Sequence, residues 1–515
     1  MNRRDFLASS AVLALESRLA PAAKAPAQAS EAHDVLRRRL MEDPLRPQFH
    51  LIARAGFVGD PCAPRFFRGN YHVFFHGNYE GKGWAHAISS DLVHWKHLPI
   101  ALSPTAGSFD EYGTFTGGVL PDRDGRASIV YTGVTKVPRE QETIRAEGLR
   151  EVQCIASSAD EDLRTWTKRS KPIILAPPTG MKVTGFRDPF GWKNGDTWYV
   201  AVGSGFPQVG GAILLYRSRD MEKWEYVHPL AEGTWNGQSF SNPVPSGEMW
   251  ECPDFFALGA KHVVLYSTEG TTWWEVGTYN ETELRFHSEK KGVLDHGAYY
   301  APRSMADGQG RRVLWGWVQE TRDAAAIKQA GWSGCVSLPR VLTLAPDNSI
   351  LMDVAPELAR ARQLTGEIKR PQSPSELATR LAQLPIKDRR AEIVCTFVAG
   401  AAPCTLDLQL PSSIGESTSF FKAAYSRASG VPFIAIGNKL IPVHPDAAGF
   451  STLHVWIDGS VIEAFLDSRQ AITTRCYATL SSASDISIVW SGPATALENL
   501  SVFRIESISE DRLTT

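Results

Sequence analysis

Three acidic residues sit in matching surroundings far apart in the chain: Asp60 in Gly56-Phe-Val-Gly-Asp-Pro61, Asp188 in Gly185-Phe-Arg-Asp-Pro189, and Glu251 in Met249-Trp-Glu-Cys-Pro253. Each is followed, directly or after one residue, by proline, and then by a glycine-led turn and an apolar strand. A charge kept among aromatic and glycine neighbours is expensive to bury, and an Arg187-Asp188 pair is retained mostly where something polar must be gripped. Two carboxyl groups suffice for glycoside hydrolysis, one attacking or activating water and the other protonating the leaving oxygen. A third beside an arginine can hold sugar hydroxyls through charge-assisted hydrogen bonds. No metal-ligand spacing accompanies the acids, so neither a metal nor another cofactor is expected. The bland alternatives are a turn or edge role for any one acid, a salt bridge to Asp188 for Arg187, and strand packing for Trp84, Trp250 and Trp317.

The elements that must position these acids are strands. From about residue 45 to 345 short runs of Val, Ile, Tyr, Trp and Phe are broken every 8 to 12 residues by Gly, Asp, Asn or Pro. Five turn-plus-strand units begin at Gly69, Gly125, Gly195, Gly259 and Gly310, at spacings of 51 to 70 residues. A second marker ending in tryptophan follows three of them, at Ser90 to Trp95, Asp162 to Trp166 and Ser218 to Trp224. A recurring unit of that length with about four strands is what one propeller blade requires, so the expectation is an all-β, five-bladed β-propeller. Asp60, Thr116, Asp188, Glu251 and Tyr300 fall at corresponding points before the five turns, on the strands expected to line the axis. Strands from different blades converge there, which brings distant acids together. Residues 346–370 read as a linker, and 371–510 as a C-terminal β-sandwich.

Bulk composition narrows the function. The 515 residues are 43% apolar and 21% charged, as in ordinary globular proteins, which excludes extensive disorder. Lys and Arg number 54 against 56 Asp and Glu, and without a basic stripe nucleic acid is not an expected partner. Residues 1–30, opening Met1-Asn-Arg-Arg-Asp-Phe-Leu7 and continuing through a short apolar run into Ala/Pro-rich sequence, read as a twin-arginine export signal. That places the mature protein in the periplasm or outside the cell, with no membrane span after export. Seven scattered cysteines without a CxxC form neither a disulfide framework nor a zinc site, and read as small buried fillers.

At this point the ordered motifs resemble a known family. Arg46-Pro-Gln-Phe-His50, Gly56 to Pro61, Asp91 to Leu102, Phe109 to Gly117, Phe186-Arg-Asp-Pro189 and Trp250 to Asp254 are similar to those of glycoside hydrolase family 32, which contains invertases, levanases and inulinases. Arg312 to Trp317, Ser337-Leu-Pro-Arg340 and Ile457 to Phe465 extend the likeness, which covers about residues 45 to 505. The resemblance implies a propeller with a sandwich, and retaining hydrolysis of β-fructofuranosides such as sucrose, fructo-oligosaccharides, levan or inulin. It puts Asp60 at the nucleophile, Glu251 at the general acid/base and Asp188 at the acid stabilising the transition state. It puts Arg187, His76, Trp84, Phe115, Thr116, Tyr300 and Trp317 at substrate-binding positions. Where the family usually reads Trp-Met-Asn-Asp-Pro-Asn-Gly this chain has Phe57-Val-Gly-Asp-Pro-Cys-Ala63, and His76 stands where a glutamine is usual. Fructosyl transfer by the same acids, or fructan binding without turnover, are the alternatives.

Overall fold

The structure is a computed structural model that describes residues 26–508 apart from 79–80, 124–125, 143–147, 236, 238–247, 401, 412–416, 429 and 479–484. The export signal expected over residues 1–30 therefore lies almost wholly outside the described residues. Strands dominate. Five antiparallel sheets follow one another along the chain, each begun by a strand whose residues are mostly buried: Gly56–Phe67, Gly113–Arg123, Phe186–Asn194, Glu251–Leu258 and Tyr299–Ala306. Each of these five first strands packs on the next, and Tyr299–Ala306 packs back on Gly56–Phe67. The apolar faces of consecutive sheets meet in separate cores. Ile129 and Trp84 share one between the first and second sheets, Leu120 and Val202 one between the second and third, and Leu215 and Val264 one between the third and fourth.

The last and first sheets are also stapled through the backbone. Trp332 and Ser333 pair in parallel with Gly56 and Phe57, while Cys335 and Val336 pair with Val318 and Trp317 of the fifth sheet. The repeated tryptophan-ended marker has a local cause. Ser89, Ser158 and Ser218 each open the same tight turn, in which Asp91, Asp160 or Asp220 accepts two backbone N–H groups and Leu92, Leu163 or Met221 takes a left-handed conformation.

Two further sheets, of six and five strands, stack over their own apolar core. The segment 346–370, read from sequence as a linker, is mostly strand. Ile350–Val354 completes the fifth sheet, and Arg362–Lys369 is the edge strand of the six-stranded sheet. Its sequence looks unlike a strand because an edge strand buries little: only Ile368 among Arg362–Lys369 is buried.

A buried charge network joins the two halves. Arg340, fully buried, donates to Glu463 (Nε to Oε2, 3.0 Å), to Asp295 (3.0 Å) and to the Thr473 hydroxyl (2.8 Å). His50 sits between Asp458 (2.8 Å) and Glu463 (2.9 Å). Asp458 also accepts the backbone N–H groups of Gln48, Phe49 and His50. Burial alone lowers the His50 pKa, but the hydrogen bonds and charges of the two carboxylates override it and leave it raised above 6.5.

Removing one partner from such a network leaves a buried charge uncompensated, so Arg340→Met should cost about 3–5 kcal/mol in denaturant-induced unfolding. Because the folded pKa of His50 is raised, its protonation stabilises fully below pH 6.5 and is lost as pH climbs through the folded value. The stability gap between wild type and His50→Gln should therefore narrow on raising the pH above 6.5; a gap constant with pH would show that His50 does not gain a proton on folding.

Candidate active site

Each first strand breaks its ladder to the second strand at one level. The pairing skips from Val58 to Pro61, Phe115 to Gly117, Arg187 to Phe190, Glu251 to Asp254 and Tyr300 to Arg303. In the last three the skipped residues are an Xaa-Pro step with Xaa left-handed: Asp188 (φ 61°), Cys252 (φ 48°) and Ala301 (φ 53°). Proline has no N–H to give a ladder, so it fits where the ladder is already interrupted. The amides released by the break find side chains instead. Asp188 N donates to the Thr132 hydroxyl (3.0 Å), Cys252 N to the Asp188 carboxylate (3.0 Å) and Ala301 N to the Ser267 hydroxyl (3.0 Å).

This register corrects the equivalence read from sequence. Arg187, Glu251 and Tyr300 occupy one position of the repeat, while Asp188 matches Cys252 and Ala301. Proline was a good marker of the break, but the acids precede it by different distances, Asp60 and Asp188 by one residue and Glu251 by two. Residues at the shared position touch: Arg187 donates to Glu251 Oε1 through Nε (3.2 Å) and Nη2 (3.0 Å), and the Tyr300 hydroxyl donates to Glu251 Oε2 (2.8 Å). The same guanidinium holds Glu151 (3.1 Å). Arg187, expected beside Asp188 as a grip for substrate, is thus engaged by two buried carboxylates and orients Glu251.

The other two acids are bound into the same assembly. Cys252 places Sγ 3.4 Å from Asp188 Oδ2 and 3.9 Å from Asp60 Oδ2, so the residue after Glu251 bridges the remaining pair. Thr116 donates its hydroxyl proton to Asp60 Oδ2 (2.7 Å) and therefore accepts from His76, which lies 3.0 Å away through Nε2. That arrangement fixes a proton on His76 Nε2. Gly59 precedes Asp60 because a Cβ there would stand 2.7 Å from the Phe57 ring and 3.2 Å from His76 Cβ. Asp60, Asp188 and Glu251 are 5%, 0% and 2% exposed, and of the three Asp60 lines an opening to solvent.

That opening is a cleft of about 560 Å³ lined by Asp60, His76, Lys82, Phe115 and Trp317, with Phe57 edge-on to Trp317 at 5.8 Å. Trp317, 5% exposed, carries an indole N–H with no hydrogen-bond partner among the described residues. Trp84, expected to contact substrate, is fully buried between Phe74 and Tyr131 and offers no surface to a ligand. Trp250 stacks on Tyr266 at 3.8 Å within a core. Cys62 is not a nucleophile, since burial and then the Asp60 charge push its thiol well up. Sequence reading missed Glu151, Thr132, Cys252 and Lys82. The signal for Glu151 was an acid at an inward position of an otherwise buried strand, Leu149–Ser158.

The chain is similar to known proteins over most of its length. The profile described as "Glycosyl hydrolases family 32 N-terminal domain" matches residues 50–354, and "Glycosyl hydrolases family 32 C terminal" matches residues 410–504. A "Sucrose-6-phosphate hydrolase" of Escherichia coli is 35% identical over 58% of this chain and 62% of its own length. A protein of the same description from Zymomonas mobilis is 32% identical over 67% of this chain and 68% of its own length. The chain thus spans somewhat under two thirds of the Escherichia coli relative. Among solved structures, a GH32 beta-fructofuranosidase of Bombyx mori superposes with a TM-score of 0.73 at 23% identity, covering 94% of this chain and 99% of that one. With the N-terminal profile alone spanning more than half of the sequence, the chain belongs to glycoside hydrolase family 32.

Proposed function

We propose that this protein is a retaining β-fructofuranosidase that releases fructose from sucrose, fructo-oligosaccharides, levan or inulin. The observation that carries the reading is the convergence of the three acids: Cys252, next to Glu251 in the chain, donates its N–H to Asp188 and places Sγ 3.9 Å from Asp60, which lines the cleft. Five consecutive antiparallel sheets whose first strands pack in succession support a five-bladed propeller, and the two sheets after residue 361 support a β-sandwich. The relatives described as sucrose-6-phosphate hydrolases, and the structural neighbour described as a beta-fructofuranosidase, point the same way. Export by a twin-arginine signal remains part of the reading, on the strength of Arg3-Arg4 and the short apolar run behind them.

In this mechanism Asp60 attacks the anomeric carbon of a terminal fructosyl unit while Glu251 gives its proton to the leaving oxygen. The glycosidic C–O bond breaks and an ester to Asp60 forms. Water then gives a proton to Glu251 and attacks the same carbon, breaking the ester, so the configuration is retained. Arg187 keeps its place through this cycle because Glu151 holds the guanidinium whichever protonation state Glu251 is in. Thr116 and His76 aim Asp60, and Asp188 accepts fructosyl hydroxyls whose hydrogen bonds strengthen as positive charge develops.

Incubation of the protein with sucrose, inulin and levan should release free fructose, with the β-anomer formed first by time-resolved NMR. Binding without release would overturn the reading in favour of a sugar-binding protein, and oligosaccharide growth at high sugar concentration in favour of a transferase. Glu251→Ala should lose about 10²–10⁴-fold in turnover, and Asp60→Ala should lose most of it, with the circular dichroism of the folded protein retained in both. Asp188→Asn should lower kcat by about 10²–10³-fold; a change confined to KM would contradict its role. Thr116→Val, which deprives the buried Asp60 oxygen of a donor, should cost about 1–3 kcal/mol in kcat/KM, whereas Thr116→Ser should stay near wild type.

A further inference from the structure

Lys82 lines the cleft with Asp60, yet no step of the proposed reaction uses it. The cleft takes its walls from the openings of the first two sheets: Phe57, Gly59 and Asp60 on one side, and Gly113, Thr114 and Phe115 on the other. Thr116, whose hydroxyl donates to Asp60, marks the base. Gly113 begins the same strand three residues before it, at most about 10 Å of extended chain further out. A Cβ on Gly113 would stand 3.9 Å from Lys82 Nζ, so glycine leaves the ammonium open on that side. The Lys82 ammonium therefore belongs to the outer level of the cleft wall, above Asp60.

Its fixed partners occupy only part of it. Nζ donates to the Tyr112 carbonyl (2.6 Å) and lies 4.8 Å from the centre of the Tyr112 ring. Lys136 lies at the same distance from that ring but does not line the cleft. An ammonium carries three N–H donors, and the Tyr112 carbonyl accepts one of them. Burial first, and then the charge of Lys136, pull the Lys82 pKa down. The group is thus short of water, and a ligand hydroxyl would restore solvation that burial has removed.

We infer that Lys82 is a specificity-determining residue whose ammonium donates to hydroxyls of the sugar unit that leaves, so that the cleft selects saccharide over simple alkyl leaving groups. The inference rests on the fructosidase reading. With its anomeric carbon at Asp60, the fructosyl ring fills the base, and the unit bonded to it extends outward to the level of Gly113 and Lys82. A leaving group as small as methanol does not reach that level and gains nothing from the lysine. A contact to the departing unit that is made on binding and kept in the transition state registers in kcat/KM.

The test compares whichever of sucrose, inulin and levan the wild type cleaves best with methyl β-D-fructofuranoside, which has no second sugar. Lys82→Met keeps the stem beside the Tyr112 ring and removes the donors. Its kcat/KM on the saccharide should fall about 10- to 100-fold, while that on the methyl fructoside stays near wild type. Lys136→Met, which alters the other face of the Tyr112 contact without touching the cleft, should leave both substrates unchanged. Equal losses on the two substrates in Lys82→Met would show that the lysine only holds the wall. No loss on either would show that the leaving unit does not meet it. Each result would overturn the inference, as would a saccharide-selective loss in Lys136→Met, which would trace the effect to Tyr112. A wild type that releases fructose from none of these substrates would overturn the fructosidase reading itself, and the inference with it.

Discussion

Everything at the catalytic level rests on the interruption of the first strand of each sheet. A left-handed residue other than glycine costs about 1–2 kcal/mol, and three such residues, Asp188, Cys252 and Ala301, stand at one level around the molecule. The break turns the following side chains and releases a backbone N–H that the ladder would have used. In the fourth sheet the group that takes this N–H is not a hydroxyl but the Asp188 carboxylate. Backbone strain and acid placement are therefore one feature: the same interaction that satisfies the Cys252 amide fixes where Asp188 points.

Charge is handled in two different ways. At the candidate active site one guanidinium, Arg187, lies between Glu151 and Glu251, so the carboxyl proposed to change protonation is held by a cation that a second carboxylate also holds. Between the halves of the molecule Arg340 and His50 tie Asp295, Asp458 and Glu463 into a network with no exposed member. Here a Glu463 pKa of about 2, with burial working against Arg340 and His50, describes a carboxylate that stays ionised. The first arrangement suits chemistry and the second suits fixed assembly. It also holds the C-terminal sheets against the fourth and fifth, reinforced by the backbone bonds from His296 and Ala298 to Ala471 and Thr473.

The departures around Asp60 are mutually consistent. Glycine at 59 leaves room for Phe57 and His76 to close on Asp60, and His76 supplies a donor to Thr116. Cys62 stands where the family usually has asparagine, and the Thr116 hydroxyl donates to Asp60. The result is a carboxylate aimed by a hydroxyl that is itself aimed by an imidazole.

The sequence by itself determined the strand-rich architecture, the recurrence of five units and the three acids, because glycine turns, Xaa-Pro steps and alternating apolar runs are local signals with local causes. It also pointed to Thr116 and Tyr300, which recur at the level of the break and contact Asp60 and Glu251. Only the tertiary structure decided which residues are partners. That Arg187 would serve Glu251 and Glu151, that Cys252 would bridge two acids, and that Trp84 would be buried in a core depend on how strands from different sheets face one another, and contacts across 36 to 192 residues leave no trace in spacing. The offset between Asp188 and Glu251 was hidden for a related reason. A one-residue shift across a bulge reverses which side chain faces the axis, and neither composition nor periodicity records it.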